Sequence, residues 1–365
     1  GETEKEDFYT GSCAAAAGGI TLVADMPNNQ PPTSTVSAFK LKVKEACSKA
    51  VVDFCLYAGC GAKNISEMDG LVGEGAIAFK TWMHLSPPSS SLLSVRDRGE
   101  LIQIFANASR LNIPIAIHAE DAETIEQATT LLKASGRKDI TAHSESRPAP
   151  AEVKAVRRCL EAAKKTGATL YLLHLTTKDA VDEVKAAKRL GIKVFAETCP
   201  HYLLLTEDAT LQLGAYAKIN PPLRRKDDQE ALWRALADES IDCIGSDHAP
   251  HCKSEKESGQ ADIWLAPSGA PNIELSLPLM LTKVNDGVMT LSRLVELMST
   301  NAAKLFNIYP MRGVIREGSE GSFTIIDLKA EHKIRADKLY TKAKECVLFD
   351  GWRVKGRASH TIVRG

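Results

Sequence analysis

The chain has 365 residues, 44% of them hydrophobic and 25% charged, which is the composition of an ordinary globular protein. Lysine plus arginine equal aspartate plus glutamate at 46 each, so the charge balance gives no sign of a nucleic-acid or membrane surface. No apolar run approaches the roughly 20 residues that cross a bilayer, and the nine cysteines include no CxxC pair. We therefore expect a cytoplasmic protein that binds neither nucleic acid nor membranes.

Short apolar runs alternate with amphipathic stretches along most of the chain. A helical stretch at 5–17 is followed by seven runs that we predict as strands, at 20–25, 52–59, 76–80, 113–118, 169–175, 192–197 and 241–247. Each run is nearly continuous in apolar residues, as in parallel strands that are buried on both faces. Helical patterns lie between them, for example at 150–166 and 178–190. This alternation predicts βα units around a parallel sheet.

The number of strands favours an α/β fold of the (β/α)₈, TIM-like class. Such a barrel needs eight strands, and we count seven, so we expect the first strand to precede residue 1. After residue 306 the pattern changes to short antiparallel strands joined by Gly-rich turns, at 313–328 and 346–365. We therefore predict a barrel over 1–306 and a small β-domain over 307–365, which a segment before residue 1 would complete.

Polar residues stand where most of the predicted strands end. These strands close with Asp25, Lys80, His118, His174, Glu197 and Asp247. A single polar residue would simply mark the end of a strand, but five or six such ends are hard to explain in that way. Because the carboxyl ends of barrel strands meet at one mouth, we expect these side chains to form an active site.

The types of these residues point to a metal centre. Imidazoles and carboxylates, as in His118, His174 and Asp247, are common ligands of zinc-like divalent ions. Lys80 suits such a set only as a neutral amine, which burial favours because it lowers the pKa of a lysine. A neutral amine can add carbon dioxide and become a carbamate, which binds metal like a carboxylate. Four ligands are too few for two metals, so we expect the others on the eighth strand.

The motifs of the chain resemble those of a known family in their order and in their amino-acid sequence. They are KEDFYTGSCAAAAGGIT, DMPNNQPP, IAFK, AIHAE, LLHLTT, AETCPHY, INPPLR and GSDHAPH. This series is similar to the dihydroorotase and allantoinase branch of the amidohydrolase superfamily, and the likeness covers essentially the whole chain. It implies a distorted (β/α)₈ barrel with a small β-domain and a centre of two divalent metal ions, with zinc as the expected metal.

The resemblance also implies roles for individual residues. Lys80 would be the carbamylated ligand that bridges both metals. His118 and His174 would bind one metal, and Asp247 would bind the other while acting as general acid and base. The family further carries a His-x-His pair and a substrate-binding arginine, which we expect in a segment before residue 1.

Three residues favour dihydroorotase within this branch. Asn28 in DMPN and His251 in DHAPH match residues that contact the substrate, and Asn220 in INPPLR is similar to a further contact. Asn272 departs from the pattern, because the family has glycine there. The implied reaction is the reversible cyclisation of N-carbamoyl-L-aspartate to L-dihydroorotate in pyrimidine biosynthesis, through attack of a metal-bridged hydroxide on the cyclic amide.

Two alternatives stay open at this point. The first is an allantoinase or hydantoinase, which would open another cyclic ureide with the same metal chemistry. The second is a dihydroorotase-like scaffold protein without catalytic activity, and a homodimer is the expected assembly in any case. We expect His84 to be solvated or structural, His248 to orient Asp247, and the polar loop at 252–260 to act as a mobile lid.

Overall fold

A computed structural model describes residues 2–84 and 92–365. Seven parallel strands form one sheet in which each strand pairs with the next along the chain. The strands are β1 Leu22–Asp25, β2 Asp53–Gly59, β3 Ala78–Trp82, β4 Ile115–His118, β5 Leu170–Leu172, β6 Val194–Thr198 and β7 Cys243–Ile244. All seven lie within or beside the runs predicted from the sequence, and the order matches that of a (β/α)₈ barrel.

Helices alternate with these strands and cover the sheet. They are α1 Phe8–Ala17, α2 Val36–Lys49, α3 Met68–Gly73, α4 Arg98–Arg110, α5 Ala122–Ala134, α6 Ile140–Ser146, α7 Ala149–Thr166, α8 Lys178–Arg189, α9 Pro200–Leu204, α10 Glu207–Leu213, α11 Lys226–Ala237, α12 Lys253–Glu257, α13 Ser276–Asn285, α14 Leu291–Val295 and α15 Asn301–Leu305. The (β/α)₈ class is thereby confirmed. In the described part of the chain, β1 and β7 do not pair with each other, so the sheet is a curled, open half-barrel.

Local contacts hold the loops at the carboxyl ends of the strands. The Asp121 side chain caps α5 directly after β4 by accepting a hydrogen bond from Thr124 N–H at 3.0 Å. Glu152 of α7 accepts hydrogen bonds from the N–H groups of Thr176 and Thr177 at 3.0 and 3.1 Å. These bonds fix the loop that leaves β5, which is the loop that carries His174.

The two strands β8 Phe323–Lys333 and β9 Arg353–Ile362 form the predicted antiparallel sheet near the carboxyl terminus. They are tied to the first helix region, since Thr361 Oγ1 donates to Ala16 O at 2.6 Å and Thr324 Oγ1 donates to Gly19 O at 2.5 Å. The division of domains at residue 306 stays a prediction. Within the described residues, no helix combines the length and apolarity that a membrane span requires.

Candidate active site

The predicted site residues lie at the carboxyl ends of four strands. Lys80 is within β3, His118 ends β4, His174 follows β5, and Asp247 follows β7. The rings of His118 and His174 are 4.5 Å apart between centroids. Lys80 and Asp247 influence each other's charge, and Lys80 also acts on both histidines. The structure therefore brings these four residues together.

Lys80 is a buried amine without a hydrogen-bonding partner among the described residues. Its side chain is 2% exposed, and Nζ lies 4.6 Å from the centroid of the Trp82 ring. Burial lowers the pKa of Lys80 to about 7, although the negative charges of Asp247 and Glu197 act in the opposite direction. A substantial fraction of Lys80 is therefore neutral near pH 7, as carbamate formation requires.

Two carboxylates accompany Lys80 at the same end of the sheet. Burial raises the pKa of Asp247 to about 6 and the pKa of Glu197 to about 7. The Tyr171 hydroxyl donates a hydrogen bond to Glu197. Gly245 makes room for this carboxylate, because a Cβ atom at that position would collide with it. Both acids therefore sit where their charged forms are poorly solvated.

His174 and Asp247 have unusual backbone conformations. Their φ angles are +37° and +43°, in a region that residues other than glycine seldom adopt. Such angles occur where the surrounding structure forces a side chain into a required direction. Both residues follow short strands at the mouth of the sheet, so the strained backbone supports their prediction as site residues.

A buried ionic network that we did not predict adjoins His118. Glu120 Oε2 lies 2.6 Å from His118 Nε2 and 2.8 Å from Arg147 Nη2. Arg147 Nη2 also lies 3.0 Å from His84 Nε2, and the ring of His84 is 4.5 Å from that of His118. We predicted that His84 is solvated or structural. It is not solvated, because it is only 5% exposed.

Two overlapping groups of side chains are candidates for a metal site, one predicted from the sequence and one whose ligand atoms lie close together in the described structure. One is the predicted set of Lys80, His118, His174 and Asp247. The other is His84, His118 and Glu120, whose ligand atoms lie within 4.8 Å of one another. Nδ1 of His174 and Oε1 of Glu120 are buried and have no hydrogen-bonding partner among the described residues. Orphaned atoms of these types fit a divalent cation, while the assignment of each ligand stays a prediction.

The predicted substrate residues occupy three different loops. Asn28 is exposed in the loop after β1. His251 is half-buried, its Nε2–H donates to Ser268 O at 3.2 Å, and burial lowers the pKa of its imidazole to about 4, so this ring is neutral. Asn220 has a buried Oδ1 atom without a partner among the described residues. Their contacts with a substrate stay predictions.

The polar segment after His251 is tied down more firmly than a loose lid. It contains α12, and the buried Lys256 Nζ donates to the carbonyl oxygens of Lys218 and Pro267 at 2.8 and 3.2 Å. Lys218 Nζ in turn donates to Ile263 O at 2.7 Å and to Ala266 O at 2.5 Å. Two lysines thus fasten this segment to the loop that carries Asn220.

His248 has partners other than Asp247. Its Nδ1 accepts a hydrogen bond from the N–H of Asn272 at 3.1 Å, and its Nε2 lies 3.5 Å from Glu6 Oε2. Asn272 stands where the family pattern has glycine, and its side chain donates a hydrogen bond to His201 Nδ1 at 3.2 Å. The ring of His248 therefore joins the mouth of the sheet to the segment before α1.

Comparisons with known proteins agree with this architecture. The amidohydrolase family matches residues 1–365. An L-hydantoinase of Paenarthrobacter aurescens is 38% identical over 359 residues, covering 98% of this chain and 78% of the relative. A dihydroorotase of Methanosphaera stadtmanae is 36% identical over 371 residues, covering 100% of this chain and 81% of the relative. A solved structure of L-hydantoinase (dihydropyrimidinase) from Arthrobacter aurescens has a TM-score of 0.96 at 38% identity and covers 100% of this chain and 80% of that one. The chain therefore belongs to the amidohydrolase family.

Proposed function

We propose that this protein is a metal-dependent cyclic-amide hydrolase that interconverts L-dihydroorotate and N-carbamoyl-L-aspartate. The observation that carries the proposal is the meeting of Lys80, His118, His174 and Asp247 at the carboxyl ends of the strands. The relatives named above include a dihydroorotase and an L-hydantoinase. Both names refer to enzymes that act on a cyclic amide, which supports the reaction class.

The four residues supply the donors that two divalent ions would need from this part of the chain. Lys80, as a carbamate, would offer oxygens to both ions, the two histidines would offer imidazole nitrogens, and Asp247 a carboxylate oxygen. Ions held there would polarise the amide carbonyl and lower the pKa of water. Zinc is the ion that this mixture of imidazole and carboxylate ligands suits best.

Asp247 has the properties of the group that moves the proton. In ring opening, the oxygen of water bonds to the amide carbonyl carbon and the ring C–N bond breaks. Asp247 would take the proton from the water and deliver it to the leaving nitrogen, which gives N-carbamoyl-aspartate. In the metal-free protein, burial raises the pKa of Asp247 to about 6, so its carboxyl group can take up and release a proton near neutral pH. Cyclisation reverses the same transfers.

Recognition of dihydroorotate would depend on polar groups around the mouth. His251 Nδ1 and Asn220 Oδ1 have no hydrogen-bonding partners among the described residues and can accept hydrogen bonds, while the exposed amide of Asn28 can also donate them. A site that is built around such groups rejects ligands that leave them unpaired.

L-hydantoinase is the second candidate. The 38% identity and the TM-score of 0.96 favour it, because both values belong to a protein of that name. Hydantoins and dihydroorotate share the cyclic ureide, so the same metal chemistry serves both. They differ in the carboxylate, which only dihydroorotate carries on its ring. Of the groups named above, only the Asn28 amide can donate a hydrogen bond to a carboxylate, so Asn28 is the basis for the choice between them.

A parallel assay tests the proposal. The full-length protein, loaded with zinc, is incubated with L-dihydroorotate, with a 5-substituted L-hydantoin and with allantoin, and ring opening is followed for each. We expect kcat/KM to be highest for dihydroorotate and to fall below detection in Asp247→Asn. Preference for the hydantoin would replace the proposal with the second candidate. A zinc-loaded protein that opens none of the three rings would favour a non-catalytic, scaffold-like role.

A further inference from the structure

One guanidinium and one carboxylate lie buried between two histidines beside the proposed metal centre. Glu120 is 0% exposed and Arg147 is 7% exposed, while His84 and His118 are each 5% exposed. The backbone of Arg147 is itself held, since Arg224 Nη1 donates to Arg147 O at 2.6 Å. Such a network has little freedom to rearrange, so its hydrogen bonds determine which ring nitrogens carry protons.

The hydrogen bonds of Glu120 decide the tautomer of His118. Arg147 can only donate, so its bond at 2.8 Å makes Glu120 Oε2 an acceptor. His118 Nε2, which lies 2.6 Å from the same oxygen, must then donate. The neutral ring therefore has its lone pair on Nδ1, and this atom makes no hydrogen bond with any described residue.

The same arginine decides the tautomer of His84 in the opposite sense. Arg147 Nη2 donates to His84 Nε2 at 3.0 Å, so that this nitrogen holds the lone pair. The proton of the neutral ring then lies on Nδ1, which is buried and has no partner among the described residues. Neither ring nitrogen of His84 is left with a free lone pair for a metal.

The short distances within the cluster of His84, His118 and Glu120 indicate a metal site, but the hydrogen bonds of its atoms argue against one. Nε2 of both histidines and Oε2 of Glu120 are already paired with the guanidinium or with a donated proton, which leaves Glu120 Oε1 as the one unpaired acceptor that the three described side chains offer to one another. A divalent cation placed among them would also lie against the positive charge of Arg147, and burial strengthens that repulsion. The free lone pair of His118 is on the other ring nitrogen, so a metal ion would be bound outside this cluster.

We propose that Arg147 and Glu120 are positioning residues that set opposite tautomers in His84 and His118, and thereby direct the metal ion to Nδ1 of His118. This inference rests on the metal centre of the proposed function. It assigns the cluster of His84, His118 and Glu120 a supporting role and makes His84 dispensable for metal binding. Partners of this kind, behind a ligand, typically contribute tenfold to a hundredfold in metal affinity.

Metal affinity measured by competition with a chelator tests the proposal without reference to turnover. We expect about tenfold to a hundredfold weaker zinc binding in Glu120→Leu and Arg147→Met. Glu120→Gln keeps an acceptor for His118 Nε2–H and should lose less. His84→Gln should bind zinc within about threefold of the unmodified protein. The control is Arg312→Met, which removes a half-buried arginine that pairs with Asp53, away from the site. It should lower the thermal stability and leave the affinity unchanged.

The results that would overturn the proposal are specific. Loss of zinc in His84→Gln to the extent seen in His118→Ala would make the three-residue cluster the binding site. Unchanged affinity in both Glu120→Leu and Arg147→Met would remove the positioning role. The visible spectrum of the cobalt-loaded protein adds a direct readout, because an altered ligand geometry in Glu120→Gln changes the d–d bands, whereas a general loss of stability does not.

The tautomers can also be measured in the unmodified protein, which avoids any variant that fails to fold. Long-range ¹H–¹⁵N correlation spectra of the metal-free protein should show the proton of His118 on Nε2 and that of His84 on Nδ1, with His84→Gln used for assignment. Identical tautomers in both rings would refute the proposal. Failure of the proposed function is a separate outcome, in which the protein binds zinc through His118 but does not open dihydroorotate.

Discussion

Replacement of Lys80 by methionine should stabilise the metal-free protein while it abolishes metal binding. Burial lowers the pKa of Lys80 from 10.5 to about 7, and each pKa unit corresponds to about 1.4 kcal/mol. Because the folded-state pKa is depressed, the unfolded chain binds more protons than the folded chain between pH 7 and 10.5. The lysine therefore lowers the free energy of unfolding in this range, by about 3 kcal/mol at pH 8 and about 1 kcal/mol at pH 9.5.

The assay is urea denaturation of the chelator-treated protein at these two pH values. Lys80→Met should raise the free energy of unfolding by up to about 3 kcal/mol at pH 8, and the gain should shrink towards about 1 kcal/mol at pH 9.5. Methionine fills a similar volume, so the packing around Trp82 changes little. Zinc binding and dihydroorotate hydrolysis should both be lost, because no carbamate can form.

Lys42 provides the matched control. It is also a buried lysine, but its Nζ forms an ion pair with Asp25 and donates to Met26 O and Asn29 Oδ1, both at 2.5 Å. Lys42→Met should destabilise the protein by about 2–4 kcal/mol, because it leaves these oxygens unpaired. A destabilising effect of Lys80→Met at pH 8, or a gain that does not change with pH, would refute the argument that Lys80 is an unpaired amine with a depressed pKa.

Three further predictions concern other residues of the site. In the metal-free protein, the Asp247 carboxyl should titrate with a pKa of about 6, because burial disfavours its charged form, and a carboxyl ¹³C titration with a midpoint near the ordinary value would contradict this. Gly245→Ala should push the Glu197 carboxylate from its place and lower the free energy of unfolding by about 1–3 kcal/mol, as measured by denaturation. Lys256→Met should leave two carbonyl oxygens unpaired, cost about 1–3 kcal/mol and speed hydrogen exchange at 252–268, whereas unchanged exchange would show that the lysine does not fasten this segment.

The strands could be predicted because each is a short apolar run, and β3 and β4, for example, are buried along their whole length, whereas β1 is partly exposed. The run at 76–80 became Ala78–Trp82 and the run at 241–247 became Cys243–Ile244, so the existence of strands was predicted better than their limits. The short β7 has a physical reason. The chain turns away after Ile244, with Gly245 packed against Glu197 and Asp247 in a left-handed conformation. Apolar character alone does not reveal such a turn.

The candidate site was predictable where its residues end an apolar run, as His118 and Lys80 do, although β3 continues two residues beyond Lys80. The network behind them was not, because its members come from distant parts of the sequence. Arg147 is 27 residues from Glu120 and 63 from His84, and only the fold brings them into contact. A weak signal was present in the carboxylate of AIHAE, two positions after His118, and in the arginine of SESRP. A lone acidic or basic residue in a loop is, however, usually solvated.

The same features that make the metal-free site unstable make it suitable for metal. Lys80 and Asp247 are held in neutral or poorly solvated forms by burial, and the ring of His174 keeps an unpartnered nitrogen. Among the described residues, none of these groups has a partner of opposite charge in direct contact, so their burial costs folding free energy. Ligands must be deprotonated to bind a metal, and burial has already brought the pKa values of Lys80 and Asp247 close to neutrality. For Lys80, whose pKa is lowered, the folding free energy that is lost in the metal-free chain favours the neutral amine that a carbamate requires, whereas for Asp247, whose pKa is raised, burial favours the protonated form that a metal ion must displace.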